Sequence, residues 1–164
     1  MPIPDRNMLL RHLDETRLNI EKLLPEIDRN KEIYPGWTIR ELLAHLTGWD
    51  DVTIESLQAH TAGRSPSVSA IHSFDKYNAQ SVSSRKDLDY EHVLEEWRHA
   101  RHGLRTLIEQ LPDDKLSSPV IVPWGGKPTV TKLLDIFHDH DEEHTRDILE
   151  WLKNPDKPLL KDES

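Results

Sequence analysis

Residues 133–152, LLDIFHDHDEEHTRDILEWL, contain the pattern from which a helical fold can be predicted. The apolar residues of this stretch recur at helical spacing and share one stripe of the helix surface: Leu133, Phe137, Ile148 and Trp151. The two positions that continue this stripe, 140 and 144, are both histidine. The segment therefore predicts an amphipathic helix that turns two imidazoles, one turn apart, toward the core.

The same apolar periodicity predicts three more long helices and one short helix. With the last helix included, the predicted ranges are about Arg6–Arg29, Thr38–Ala62, a short helix within 74–82, Asp89–Leu111, and Thr129 to just before Pro155. The stretch WTIREL gives the second helix the clearest start, because Thr38 at the N-cap and Glu41 three residues later form a capping box. Pro25 is expected to kink or shorten the first helix.

The number and length of these helices predict an all-α protein, a four-helix bundle. The connection over residues 63–88 is longer than two antiparallel neighbours need, so it can carry the chain back along the bundle and leave the third long helix parallel to the second. Residues 117–128, SSPVIVPWGGKP, are rich in proline and glycine and are expected to form a loop with an extended stretch. We expect one domain over residues 1–164, with 154–164 as a mobile polar tail.

Composition and charge exclude several classes of function. The 164 residues carry a formal net charge of −9, whereas nucleic acids and anionic membranes attract basic surfaces. No apolar run approaches the roughly 18 residues of a membrane-spanning helix, and the first ten residues, MPIPDRNMLL, show no secretory signal. The absence of cysteine excludes disulfides and thiolate ligands. We therefore expect a cytoplasmic protein that binds neither nucleic acid nor membrane.

The histidine pair on the last helix suits a metal ion. His140 and His144 stand at i and i+4, which places two imidazoles on one face as ligands of a single ion. Such a pair in an acidic helix also occurs on a solvated face or as a hydrogen-bonded core pair, and spacing alone leaves these readings open. A third ligand must come from another helix, and His45, in LLAHLTGW, is the one other histidine at an inward position of a well-defined helix. Three histidines leave at least one coordination position open, as catalytic sites do.

Other polar and aromatic residues are candidates for the surroundings of this site. Three acids either accept hydrogen bonds from the imidazoles or lie on solvated helix faces: Asp50, Asp51 and Asp141. Asn78 interrupts the apolar face of the short helix, and it either hydrogen-bonds at a pocket or caps a loop. Trp49, on the helix of His45, and Trp124, between a proline and two glycines, are candidates for lining a pocket.

The chain resembles the DinB-like superfamily of four-helix bundles over about residues 5–152. The resemblance rests on four stretches: WTIRELLAHLTGWD at 37–50, FDKYNAQ at 74–80, VPWGGKPTV at 122–130 and HDHDEEHTRDILEWL at 138–152. It implies an up-down-down-up bundle, a homodimer, and a divalent metal held by His45, His140 and His144. Members of the superfamily include thiol-dependent S-transferases and isomerases that use mycothiol or bacillithiol, and metal-dependent hydrolases.

These observations predict a divalent-metal-binding protein, an enzyme acting on a small molecule by hydrolysis or thiol transfer. The catalytic group is then a water or thiol at the open metal position rather than an identified side chain. The alternatives are a non-catalytic module that binds or sequesters a small molecule, and a dimeric scaffold whose metal site is vestigial. An all-imidazole ligand set favours zinc or nickel and also accommodates iron or copper, and a low-molecular-weight thiol is the second cofactor expected.

Overall fold

The computed structural model describes residues 3–67 and 70–160, and within these ranges it contains six α-helices and no β-strand. The helices are α1 Arg6–Leu23, α2 Ile39–Ala62, α3 Phe74–Ser83, α4 Tyr90–Gln110, α5 Asp113–Leu116 and α6 Val130–Leu152. The predicted all-α bundle is confirmed. In the same two ranges, none of the helices combines the length and apolarity that crossing a membrane requires.

The first helix is shorter than the sequence predicts. It ends at Leu23 rather than near Arg29, and a single 3-10 turn, Leu24–Glu26, follows it. Pro25 lies in the first positions of that turn, where its missing N–H breaks no hydrogen bond, whereas farther inside an α-helix it would remove one. The one-turn helix α5 was not predicted, because four residues show too little periodicity to be recognised.

Polar side chains at the N-caps fix where the helices begin. The predicted capping box is present at the start of α2, where the backbone N–H of Thr38 donates to the Glu41 carboxylate at 3.3 Å. Four other helices begin at a residue whose side chain accepts a backbone N–H from the first turn: Asp5, Ser73, Asp89 and Thr129. Each cap satisfies a donor that the helix itself cannot pair.

Contacts along α2 and α4 show that these two helices run parallel. Near the start of both, Arg40 of α2 donates to the carbonyl of Leu88, which precedes α4. Farther along both, Asp50 of α2 accepts from Arg101 of α4. The connection between α2 and α4 therefore returns the chain along the length of the bundle, with α3 within it, as the length of residues 63–88 predicts.

The other two long helices complete an up-down-down-up arrangement. Helix α1 is antiparallel to α4 and parallel to α6. The contacts that show this are Arg6–Ile108 and Arg17–Trp97 between α1 and α4, and His12–His138 and Thr16–Asp141 between α1 and α6. Helices α2 and α6 consequently run in opposite directions across the core.

The core consists of two apolar clusters with a polar level between them. One cluster contains Trp97 and Trp151, and the other contains Leu104 and Phe137. Each of the four long helices contributes a buried charged residue at the level between the clusters: Arg17, Asp50, Arg101 and Asp141. Buried charges require partners, so these residues constrain how the four helices align.

The carboxyl-terminal segment packs on the connection between α1 and α2, where Asp156 forms an ion pair with Lys31 at 2.7 Å. The backbone N–H of Leu159 donates to the carbonyl of Ile33 at 2.7 Å, and its side chain is partly buried against the core. Residues 161–164 of the predicted tail lie outside the described residues. The mobility of residues 154–164 stays a prediction.

Close packing of α3 on α2 depends on Gly48. A Cβ atom at this position would fall 2.2 Å from Oγ and 2.6 Å from Cβ of Ser81, and neither atom belongs to a long flexible side chain. We expect Gly48→Ala to displace α3 and to lower the free energy of unfolding by about 1–3 kcal/mol, as overpacking does. Urea denaturation followed by circular dichroism measures this loss.

Two companion variants separate packing from helix propensity. Gly103→Ala in α4 is the matched control, because its nearest neighbour, Cδ1 of Ile54, lies at an ordinary 3.5 Å. Alanine is a better helix former than glycine, so this control should be neutral or stabilising by up to about 1 kcal/mol. Adding Ser81→Gly to Gly48→Ala removes the clash and should restore stability. Full stability of Gly48→Ala alone would show that the two helices do not approach this closely.

Candidate metal centre

Three histidines from two helices meet in the core, and we call His45, His140 and His144 the histidine triad. His45 lies in the second turn of α2, and the other two lie one turn apart on α6. His45 and His144 are 0% and 1% exposed, whereas His140 is half-buried. Nε2 of His140 lies 3.2 Å from Nε2 of His45 and 3.0 Å from Nε2 of His144. The structure thus brings together the three predicted ligands, whose binding of a metal stays a prediction.

The spacing of these nitrogens fits a divalent metal ion. Two nitrogens bound about 2.0–2.1 Å from one ion stand roughly 3.4 Å apart at a tetrahedral angle and roughly 2.9 Å apart at a right angle. The two separations, 3.2 and 3.0 Å, lie within that interval. Hydrogen bonds alone explain these short separations less well. Nε2 of His140 carries either one hydrogen or one lone pair, so it can form a hydrogen bond with only one of its two neighbours. The three residues could therefore hold one ion.

Tyr34 and Asp147 set the tautomer of His144. The Tyr34 hydroxyl donates to Oδ2 of Asp147, and its oxygen lies 2.8 Å from Nδ1 of His144. A phenol has one hydrogen, so with that hydrogen on the carboxylate the phenol oxygen accepts from Nδ1–H of the imidazole. This tautomer leaves the lone pair on Nε2, the nitrogen that faces the rest of the triad. Tyr34 and Asp147 thus stand where the outer hydrogen-bond partners of ligating histidines stand in metal sites.

Neither Tyr34 nor Asp147 is a candidate that the sequence pattern predicted. Asp147 follows His140 by seven residues and continues the inward stripe of α6, so a signal for its inward position was present. Tyr34 belongs to the YPGW turn between α1 and α2, where its backbone pairs with Trp37. Helical periodicity does not extend into such a turn, so it carries no information about where the Tyr34 ring points.

Two of the acids proposed as partners of the imidazoles belong instead to the polar level of the core. Arg101 bridges them, with guanidinium nitrogens 3.0 Å from Asp50 and 3.1 Å from Asp141. Both aspartates are 1% exposed, so the prediction that they lie on solvated helix faces is wrong. The third acid, Asp51, is exposed and forms an ion pair with Arg85 at 2.8 Å.

The polar level of the core contains two arginines and two aspartates, so its formal charges balance. Arg17 pairs with Asp50 at 2.9 Å and lies over the Trp97 ring, 4.0 Å from its centroid. Burial, and next the positive charge of Arg101, lower the pKa of Arg17 to about 10. Burial acting alone would raise the pKa of Asp141, but the charges of Arg101 and Arg17 outweigh it and hold that pKa below its ordinary value. Two arginines therefore neutralise two aspartates next to the histidine triad.

A cavity of about 870 Å³ adjoins the triad, and His140 forms part of its wall. The three pocket candidates named from the sequence, Trp49, Asn78 and Trp124, all line this cavity. Nε1–H of Trp49 donates to Oδ1 of Asn78 at 2.7 Å, and the Trp49 ring meets Trp124 edge to face with centroids 5.6 Å apart. The half-buried member of the triad thus faces an aromatic-walled space of ligand size. A binding role for these wall residues stays a prediction.

A second group of potential ligand atoms lies on α6, formed by His138, Asp139 and Glu142. It contains a single imidazole, and none of its three residues is buried. Water satisfies such groups without an ion, whereas the buried imidazoles of the triad need partners inside the protein. The triad is therefore the stronger candidate for a metal centre.

Comparison with known protein families gives one match over most of the chain. The family model described as the mycothiol maleylpyruvate isomerase N-terminal domain matches residues 9–136. This range includes His45 and ends before His140 and His144. A search of curated proteins finds no match.

Solved structures with a similar fold include two of equal TM-score, 0.72. One is the crystal structure of the mycothiol-dependent maleylpyruvate isomerase, with 15% identity over 88% of this chain and 61% of that chain. This chain therefore spans about three fifths of the length of that isomerase. The other is an uncharacterised protein from Escherichia coli UTI89, with 18% identity over 97% of this chain and 98% of that chain. At these identities the likeness shows the fold alone.

Proposed function

The chain belongs to the mycothiol maleylpyruvate isomerase N-terminal domain family, which has the DinB-like fold, and we propose that it is a metal-dependent enzyme. In this proposal the enzyme uses a low-molecular-weight thiol to act on a small molecule. The observation that carries the proposal is the convergence of three imidazole Nε2 atoms at the wall of a cavity. A divalent ion, with zinc or nickel preferred, supplies Lewis acidity there and lowers the pKa of a thiol or water toward neutrality.

The residues around the site have separate roles in this proposal. Tyr34 and Asp147 hold His144 with its Nε2 lone pair toward the triad. His140 is the half-buried member and marks the side from which a small molecule reaches the site. Trp49 and Trp124 supply an apolar wall that excludes water from part of the cavity.

A thiol is favoured over water as the nucleophile. The chain contains no cysteine, so a sulfur nucleophile has to come from a cosubstrate. The family is named for a mycothiol-using isomerase, and a structurally similar protein is described as mycothiol-dependent. Mycothiol, bacillithiol and glutathione are therefore the thiols to test first.

The test is turnover of a small electrophile by the metal-loaded protein, with and without each thiol. We expect thiol-dependent loss of the electrophile, measured by absorbance and by mass spectrometry of the product, and no reaction after chelation. Turnover without any thiol would replace the thiol by water and indicate a hydrolase. Thermal stabilisation by the compounds without product would indicate a binding module. An unchanged rate after complete metal removal would contradict the proposal.

Removing the hydroxyl of Tyr34 should weaken metal binding without removing a ligand. Tyr34→Phe deletes the acceptor for Nδ1–H of His144 and keeps the ring in the core, and we expect zinc affinity to fall about 10–100-fold, as it does when outer partners of ligating histidines are lost. Competition with a chromophoric chelator measures the affinity. Tyr90→Phe, on α4 beside Arg29, is the matched control and should bind zinc like the parent. Equal affinity of both variants would show that Tyr34 does not orient His144.

Three further expectations are part of the proposal. The chain forms one domain over residues 1–164, two copies associate as a homodimer, and the protein works in the cytoplasm on a small-molecule substrate. Light scattering coupled to size-exclusion chromatography tests the homodimer, because a mass near 19.1 kDa rather than twice that value would contradict it.

A further inference from the structure

The cavity beside the histidine triad carries an unequal set of charges. Four carboxylates line it, Asp75 from α3 and Asp139, Glu142 and Glu143 from α6, whereas Arg146 is the one guanidinium in its wall. In the metal-free protein the lining therefore has a formal surplus of three negative charges, and a divalent ion on the triad would leave a surplus of one. Asp75 and Asp139 are exposed, so salt screens them, whereas Glu142 and Glu143 are half-buried; a surplus of one sign around a cleft raises the local concentration of cations and lowers that of anions.

The remaining wall of the cavity is apolar and partly exposed. Phe74 is 56% exposed and Ile136 is 43% exposed, and both line the cavity. The Trp49 ring meets Phe74 and Trp124 edge to face, with centroids 5.5 and 5.6 Å apart. Exposed apolar side chains in a concave surface favour an apolar ligand, and aromatic faces also attract cations.

Asn78 contributes a directed hydrogen-bond donor to the same cavity. It is 5% exposed, and its Oδ1 is occupied by the Trp49 indole N–H, so its NH2 group has to find a separate acceptor. Over the part of the chain that the structure describes, that NH2 group makes no hydrogen bond. The residue lines the cavity and its nitrogen is not among the buried donors that lack a partner, so the NH2 group is open to the cavity and can donate to an oxygen of a bound ligand.

We infer that the substrate of this cavity is a monocationic amphiphile, with an apolar or aromatic body, a protonated amine toward the carboxylates of α6, and a neutral carbonyl or hydroxyl oxygen within reach of Asn78. The inference rests on the proposed function, because it names the substrate class for that site. A dicarboxylate is the opposite class, since its charges would meet the acidic wall.

The test compares three probes that share a phenyl ring and differ in charge: 2-phenylethylammonium, 2-phenylethanol and 3-phenylpropanoate. Binding to metal-free protein is followed by tryptophan fluorescence, since Trp49 and Trp124 lie in the cavity wall. We expect the cation to bind at least about tenfold more tightly than the anion, with the neutral alcohol between them. The preference should shrink as salt is added.

Variants locate the preference in the cavity. Asp139→Asn combined with Glu142→Gln should reduce the cation-to-anion ratio to below about threefold, whereas Asp114→Asn, an exposed change on α5, should leave the ratio unchanged. Equal affinities of the three probes, tighter binding of the anion, or no saturable response to the cation would each overturn the inference.

The outcome is independent of metal binding and turnover, because the probes are measured on metal-free protein. A protein that binds no metal but prefers the cation would refute the proposed enzyme and leave the ligand class standing. A metal-dependent enzyme whose cavity prefers the anion would refute the proposed ligand class and leave the proposed enzyme standing.

Discussion

Replacing His144 with alanine is expected to abolish metal uptake and thiol-dependent turnover together. The substitution removes one of three converging Nε2 donors and leaves only His45 and His140. Loss of an outer partner of a ligand already costs about 10–100-fold in metal affinity, so loss of the ligand itself should cost more than about 100-fold. Metal content after dialysis against zinc, measured by mass spectrometry, and the rate on the same sample provide the two readouts.

Controls separate the loss of a ligand from the loss of packing. His144 is 1% exposed, so its truncation also leaves a cavity, whereas His140→Ala removes a half-buried ligand with a smaller loss of packing and should give the same metal result. His102→Ala, exposed on α4, should bind metal like the parent. Zinc should raise the melting temperature of the parent and of His102→Ala only. Full zinc occupancy in both triad variants would contradict the metal centre.

The long helices and the histidine pair of α6 were predictable because their signals are local. Four consecutive residues contain the whole capping box of Thr38 and Glu41, and about twenty contain the inward stripe of α6. Two imidazoles on that stripe indicate a functional site before any coordinates are known, because apolar residues are expected there. The approach of His45 to them is not local: His45 was proposed as the one other histidine at an inward helix position, the resemblance to DinB-like bundles supported it, and periodicity does not show that packing brings it close.

The buried arginines could not be predicted in the same way. Arg17 and Arg101 lie on the inward sides of α1 and α4, but arginine is mostly exposed in proteins, and the partner of each lies on another helix. The acidic wall of the cavity could not be predicted for the same reason, because Asp75 and Glu142 come from different helices and meet only in the fold. Periodicity shows which side of a helix is inward, and it does not show which inward residues meet.

Arg101→Met is expected to produce the largest loss of stability in the bundle. Arg101 bridges Asp50 and Asp141 and also donates to the carbonyl of Leu13, so its removal leaves carboxylates buried with fewer partners. Breaking a buried ion pair from one side costs about 3–5 kcal/mol, because the remaining charge is desolvated without compensation. Urea denaturation at neutral pH measures the change in the free energy of unfolding.

Two companion variants decide whether that loss comes from the charge or from the shape of the side chain. Arg98→Met on the same helix breaks an ion pair with Glu21 in which the Arg98 side chain is 53% exposed, and we expect it to cost less than about 1 kcal/mol. Combining Arg101→Met with Asp141→Leu removes both members of one buried pair and leaves the Arg17–Asp50 pair in place. If the uncompensated charge causes the loss, the double variant should be more stable than the sum of the single changes requires, because no orphaned carboxylate remains at position 141. Strict additivity would show instead that packing around the guanidinium, rather than its charge, holds the four helices in register beside the histidine triad.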